Sequence, residues 1–543
     1  MPVLRGGAPL SIAGGVREFA RATPRAVAVI DGDRSLTYAA LDERSNRLAA
    51  WLLARDLVPG QCVAVLLGNR LEYPEIAAGI AKAGLLMVPL NPRLTPAEAR
   101  YILEHSGARA IVLDDALASV VGDAIEELRL VALSIDGAQA GRPYEEELAG
   151  ARAVDPAVRV DELDPFCVAY TSGTTGRPKG VLISHRSRSL TFYCSALEWG
   201  LGTGRVSVAV APMYHGAGFA FGYAPVYTGG TVTMLRRWDP EELLHLVERD
   251  RAQSAFLVPT HAQMLRALDG GKLAARGLTS LDTLYFNAAA LPWPLKQWVM
   301  ETFPSCGVHE LYGSTEAGIV TNLRPVDQHR KPGSVGHAWY MTELRIVDPD
   351  GDPVDPGQPG ELFSRSPFLM NGYLGDPAAT DECTTDDGFL TCGDIVVLDD
   401  EGYVHVIDRK KDMIISGGVN VYPREVEDVL AAHASVAEAA VVGVPSETWG
   451  EEVMAYVVLR GGTTGNAAGN AAGSAAGSAA GSADGSAGGQ ADGSDLLAGL
   501  EAHCRTSLAG YKVPKRWEIV TTLPRNAAGK IVKRDLKPSA TSA

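Results

Sequence analysis

Eleven residues, Tyr170-Thr-Ser-Gly-Thr-Thr-Gly-Arg-Pro-Lys-Gly180, gather four hydroxyls (Thr171, Ser172, Thr174, Thr175), three glycines (Gly173, Gly176, Gly180) and Lys179 directly after the apolar run Phe166–Tyr170. Glycine lets a backbone come close to a ligand. Successive N–H groups and hydroxyls can surround phosphate oxygens, and a lysine adds a point charge. The spacing is not GxxxxGK[ST], so the loop is not of the Walker type. A plain surface turn needs no such density of hydroxyls and glycines, and the stretch predicts a phosphate-binding loop.

Further motifs follow in order: MYHGAGF (213–219), LYGSTEAG (311–318), KPGSVG (331–336), DGFLTCGD (387–394), DRKKDMIISGGVNVYPREVE (408–427) and PRNAAGK (524–530). With the hydroxyl-rich loop, this series resembles the acyl-adenylate-forming (AMP-binding) superfamily of acyl-CoA synthetases, peptide-synthetase adenylation domains and firefly-type luciferases. The resemblance runs from about residue 10 to 535, apart from a repeat insertion. It implies a two-step reaction. A carboxylate attacks the α-phosphate of ATP and releases pyrophosphate, and a thiol then attacks the acyl carbon. Two anions meet in the first step, so cations and dipoles must gather there.

The resemblance also assigns roles. Thr171, Ser172, Gly173, Thr174, Thr175, Gly176 and Lys179 are expected at the ATP phosphates, with Thr315 on the α-phosphate. Glu316 is the expected magnesium ligand, since Mg²⁺ takes one carboxylate with phosphate oxygens and waters. Tyr312 is expected to stack on adenine over the backbone of Ala288 and Ala289, with Gly313 and Ser314 beside it. Glu310 stands where the family often has Asn, and its carboxylate could accept from the adenine amino group but cannot donate. Asp394 is the expected acceptor for both ribose hydroxyls, joined by Arg409; Cys392 replaces the usual Thr two residues earlier. Lys530 is expected to bridge substrate carboxylate and α-phosphate. Lys411 matches the hinge about which a smaller domain rotates between half-reactions, and Gly417 and Gly418 would then line the thiol tunnel. His215 is expected to flank the reacting carbonyl.

The acyl pocket is expected from His215, Gly218, Phe219, Ala289, Gly313 and Ala317, with Phe221 nearby. No Lys or Arg lies in those wall segments, and MYHGAGF lacks the carboxylate that amino-acid-activating relatives use. An apolar monocarboxylic acid, whether fatty, aromatic or alicyclic, is the expected substrate. The reading is an ATP-dependent carboxylic acid–CoA ligase using ATP, Mg²⁺ and CoA. The first alternative is an acyl-AMP ligase that stops at the adenylate or loads the phosphopantetheine thiol of an acyl carrier protein. From another class, the alternative is a non-catalytic nucleotide-binding scaffold.

Such residues need rigid elements. Short apolar runs at 62–68, 166–170, 206–212, 255–259 and 283–286 alternate with helical patterns such as 38–56, the signature of a doubly wound parallel sheet. Between about 334 and 407, β-rich pieces separated by Gly, Pro and Asp predict a small barrel. The expected fold is α/β: a large N-terminal domain (1–408) of two doubly wound subdomains plus that barrel, then a smaller α+β C-terminal domain (409–543). Seven tetrapeptides with Gly at every fourth position (466–493) cannot bury a face and predict a flexible insertion, about 463–494.

The 543 residues carry a formal charge of −16, which disfavours nucleic acid and anionic membranes as partners. Seven scattered cysteines, never in a CxxC pair, argue against a disulfide scaffold or zinc ribbon and for a reducing compartment. The first residues lack the apolar core of a signal peptide, and no uncharged apolar run reaches membrane-spanning length. A cytoplasmic monomer or homodimer is expected.

Overall fold

A computed structural model gives the architecture and describes residues 9–171, 177–268, 270–274, 276–416, 419–446, 449–460, 493–525 and 531–536. Its chain separates into two units. The first comprises residues up to Cys392 with Val397–His405, and the second Gly393–Val396 with Val406 onward.

Two sheets organise the first unit. One runs Gly372–Tyr373, Lys179–Ser184, Pro165–Thr171, Leu86–Pro89, Cys62–Leu66, Ala110–Asp114, Val131–Ile135, Arg142–Pro143. From Pro165–Thr171 to Arg142–Pro143 all pairings are parallel. The other runs His337–Ala338, Gly318–Leu323, Gly307–Ser314, Thr283–Phe286, Ser254–Leu257, Val206–Ala209, Thr231–Met234, Val27–Asp31, Arg34–Thr37. It too is parallel in its middle, with antiparallel strands at both ends. Strands covered on both faces read as unbroken apolar runs, and every residue of Cys62–Leu66 is buried. The α/β class expected from the runs is the one observed.

Helices are set by local chemistry. Tyr38–Leu53 starts where Thr37 accepts a hydrogen bond from the Ala40 N–H. Pro96–Ser106 opens with a reciprocal Thr95–Glu98 capping box and closes on Gly107 in the left-handed region. Glu343–Val347 and Pro359–Arg365 pair antiparallel between Asp- and Gly-rich turns.

The second unit is smaller. Val436–Ser446 and Gly450–Leu459 form a long antiparallel hairpin, joined by Ile414–Ser416 and by Arg516–Ile519 in parallel. Helices Pro423–Ala431 and Gly493–Ser507 supply Val426, Leu430, Leu500 and Cys504 to one core with Ile414, Val441 and Val453. Residues 466–492 of the tetrapeptide repeat lie outside the described residues. All seven cysteines are free. No helix among the described residues is long and apolar enough to cross a membrane.

Burial holds three histidines of the first unit neutral. His185, His261 and His309 all have pKa values pushed down to about 4 by desolvation. The His185 Nδ1 accepts from the Ile12 N–H, a bond that an imidazolium could not accept there. Above pH 6.5 neither folded nor unfolded chain charges these rings. Below it the unfolded chain takes up protons that the folded chain refuses until about pH 4, so stability falls across that window. Urea midpoints recorded from pH 7 to 4 should therefore decline, and His185→Gln should reduce the slope by about one proton.

Candidate active site

The hydroxyl-rich loop joins two antiparallel strands, Pro165–Thr171 and Lys179–Ser184, in register from Thr171↔Lys179 to Val168↔Leu182. Apolar-run reading finds the first strand and misses the second, which carries only Val-Leu-Ile. Gly372–Tyr373 adds to the outer side, pairing Tyr373 with Val181. That pairing brings Tyr373 to the site: the Lys179 ammonium lies 4.8 Å from its ring centroid, and its hydroxyl donates to Glu316 Oε1 at 3.2 Å. Burial and then the neighbouring Glu316 carboxylate push the Tyr373 phenol well above its usual pKa, so it stays a donor. The structure thus brings Lys179 and Glu316 together through a residue that sequence reasoning misses. Ser172, Gly173, Thr174, Thr175 and Gly176 lie outside the described residues.

The YGSTEAG segment is a hairpin turn between Gly307–Ser314 and Gly318–Leu323. Ala317 N–H donates to Ser314 Oγ at 2.9 Å, closing the turn, and Gly318 adopts φ +69°. A side chain at Gly313 would meet the Gly318 carbonyl oxygen at 2.0 Å, so only glycine fits. The register slips between Tyr312 and Gly313, a bulge that aims the turn. Ser314 Oγ also meets Cys392 Sγ at 3.0 Å, which gives a partner to the cysteine that replaces threonine. Tyr312, Thr315 and Glu316 are all half-buried at this turn. A carboxylate held by a phenol is a hard oxygen donor of the kind Mg²⁺ accepts, so Glu316 fits the expected cation.

Ala288 and Ala289 are exposed, with Ala288 strained at φ +74° and its N–H bonded to Asn287 Oδ1. Strain at a non-glycine residue is held only where its surroundings enforce it. Glu310 is buried, with Oε2 2.5 Å from Lys296 Nζ and Oε1 accepting from the Leu291 N–H. The Lys296 ammonium is itself fully buried. This ion pair braces the strand bearing Tyr312 against helix Trp293–Thr302, and any adenine contact by Glu310 must use its remaining lone pairs.

His215 immediately precedes helix Gly216–Tyr227, whose residues from Gly218 to Tyr227 are all buried. A side chain at Gly218 would meet the Pro212 carbonyl oxygen at 1.9 Å. Phe219 stacks on Tyr223 and touches Tyr73, Phe166 and Phe192, while Phe221 packs on Phe256 and Tyr285. Ala317 is buried behind the turn. Arg188, from helix His185–Trp199, reaches this place too. A methyl group at position 216 would lie 3.8 Å from both Arg188 Nη2 and Thr315 Oγ1. The only sequence signal for it is a charge in the first turn of that helix.

In the second unit, Arg409 Nε lies 2.6 Å from Asp394 Oδ1, uniting the two expected ribose residues. The buried Asp408 carboxylate accepts from the Arg409 and Arg424 N–H groups. Lys411 is exposed. Gly417, Gly418 and Lys530 lie outside the described residues.

Residues 16–374 match the family model for AMP-binding enzymes, and residues 425–475 match that for the AMP-binding enzyme C-terminal domain. The chain belongs to the AMP-binding enzyme family. It is 37% identical to a feruloyl-CoA synthase of an Amycolatopsis species over 95% of this chain and 96% of that protein. It is 32% identical to the fatty acid–[acyl-carrier-protein] ligase ScoC of Streptomyces coeruleorubidus, covering 95% of this chain and 93% of that one. The structure of o-succinylbenzoate CoA synthetase from Bacillus subtilis, in complex with its acyl-adenylate intermediate, superposes with TM-score 0.82 at 27% identity, covering 97% of this chain and 98% of that chain.

Removing one partner of a buried ion pair strands the other charge. Glu310→Gln should therefore destabilise the protein by about 3 kcal/mol. Glu310→Leu combined with Lys296→Met should recover most of the loss. Thermal unfolding of the single and double variants measures both.

Proposed function

We infer that the protein is an ATP-dependent carboxylic acid–CoA ligase, which adenylates its acid, releases pyrophosphate and passes the acyl group to CoA. The observation that carries this reading is the convergence of Lys179, Tyr373 and Glu316 beside Thr315. It stands in a chain whose relatives over 95% of its length include a feruloyl-CoA synthase. In this reading Lys179 draws the triphosphate by charge, and Thr315 donates to the α-phosphate. Glu316, fixed by the Tyr373 phenol, would hold Mg²⁺, which neutralises phosphate charge when bound. Asp394, oriented by Arg409, accepts from the ribose hydroxyls. Tyr312 and the exposed Ala288–Ala289 backbone flank adenine. His215 and the small residues Gly218, Gly313 and Ala317 border the acyl group, and Lys530 supplies the ammonium for the crowding anions. The free cysteines suit a reducing cytoplasm.

A second acceptor is supported by the likeness to ScoC, a fatty acid–[acyl-carrier-protein] ligase. Pyrophosphate release over a panel of carboxylic acids, with and without CoA, separates the two. CoA consumption matching pyrophosphate release supports the ligase, whereas adenylate accumulation with no acyl-CoA supports carrier-protein loading.

Two substitutions test the assignments. Lys530→Ala should abolish acid-dependent pyrophosphate exchange yet leave thioester formation from supplied acyl-adenylate largely intact; equal loss in both steps would remove the assigned role. Tyr373→Phe, which leaves Glu316 one donor short, should raise the KM for MgATP by about 3–10-fold in the same assay, with the fold unchanged.

A further inference from the structure

Arg188 is the group in the first unit that the proposed reaction does not use and the fold does not explain. It forms no hydrogen bond or ion pair with any described residue, and its Nε is closed off from solvent without a partner. Among the described residues its one electrostatic neighbour is Cys167, whose thiol is pushed up to about 12 by burial and carries no compensating charge. Arg188 as a whole is half-buried, and a charge partly shut off from water is normally paired, because desolvating a lone one is costly.

The position makes this worse. Arg188 sits in the first turn of helix His185–Trp199, where the positive end of the helix dipole disfavours a cation. Its Nη2 points toward Gly216, the first residue of a second helix, whose positive end faces the same spot. A guanidinium and two helix N-termini converge there with no carboxylate among the described residues to balance them. A neutral acceptor at that spot would leave the charge uncompensated.

Resting on the ligase reading of this site, we propose that Arg188 recognises a second anionic group on the acid substrate, a carboxylate held by the guanidinium fork. Because Thr315 Oγ1 lies at the same 3.8 Å from the 216 position, the two carboxylates are joined by a short spacer on an otherwise apolar body. The fork binds a carboxylate through two parallel hydrogen bonds. This departs from the monocarboxylic acid expected from the wall segments, because the cation comes from a helix outside them. Gly216 is part of the device: any larger residue would place its side chain between Arg188 and Thr315.

The test compares acids matched in skeleton: phthalate against benzoate, and glutarate against pentanoate. Wild-type protein should show a higher kcat/KM for pyrophosphate release with the dicarboxylate of at least one pair. Arg188→Met, which removes the unpaired charge and keeps the bulk, should lose about 10²-fold for that dicarboxylate. Its KM for ATP and its rate with the monocarboxylate should stay within about threefold, since only the second group is lost. Arg188→Lys, which keeps the charge but not the fork, should fall between. A loss equal for both members of each pair, a raised KM for ATP alone, or no change in the preference would overturn the proposal. In the first two cases Arg188 serves the common carboxylate or the phosphates.

Direct titration of the same acids onto wild-type and Arg188→Met protein keeps the two readings apart. Arg188-dependent dicarboxylate binding without pyrophosphate release would sink the ligase reading and support the residue's role. Absence of both binding and release would end both.

Discussion

Backbone must press on backbone at two glycines before anything in this site can meet. Gly218 lets helix Gly216–Tyr227 settle against the Pro212 carbonyl, and Gly313 lets the YGSTEAG turn close on the Gly318 carbonyl. A single Cβ at either position would overlap an oxygen at about half the normal contact distance, so the alternative is a displaced element and not a tighter fit. These approaches put the start of the helix and the tip of the turn on opposite sides of one small space. His215, Gly216, Thr315 and Arg188 inherit their positions from that constraint. The chemistry is carried by side chains, but the spacing is carried by the residues that have none.

The surrounding polar groups are organised in a graded way. Among the described residues the Glu316 carboxylate is tied to Tyr373 alone, and it remains half-buried, so it stays available as a ligand. Glu310, six residues earlier on the same strand and turn, is buried and engaged by Lys296 and by a backbone N–H. The two side chains are chemically identical, yet one is a brace and the other a candidate ligand, and burial together with partner count decides which is which. Arg188 is a third case: half-buried, with its Nε closed off from water and no charged partner among the described residues. A protein interior tolerates that state when an incoming group completes it.

Much of the scaffold is legible in the sequence because its strands are covered on both faces. Cys62–Leu66, Val206–Ala209 and Thr283–Phe286 announce themselves as apolar runs, since parallel strands have no wet face to interrupt the pattern. Lys179–Ser184 is hidden because Lys179, Gly180 and Ser184 leave only Val181–Ile183 apolar, directly behind a loop dense in glycine. The residues of LYGSTEAG and of the hydroxyl-rich loop stand out by composition, as does the likeness of the whole series to one enzyme family. Tyr373 carries no signal: it reaches Glu316 only because a two-residue strand adds to the sheet edge, and a pairing that short leaves no periodicity.

Arg188 shows most clearly what local reading cannot do. On the sequence it is one cation among 49, in a helix whose neighbours Arg186 and His185 look much the same. Arg186 faces solvent, His185 is buried as a neutral ring and Arg188 is half-buried, so three basic residues within four positions meet three different environments. Helical geometry turns successive residues by about 100°, and only the packing of the Cys167 strand and the Gly216 helix determines which of the three faces Gly216 and Thr315. Specificity for an acid is written in that rotation. Wall segments read from motifs therefore describe the family's common pocket, while the residue that distinguishes one member's substrate can come from a helix that no motif marks.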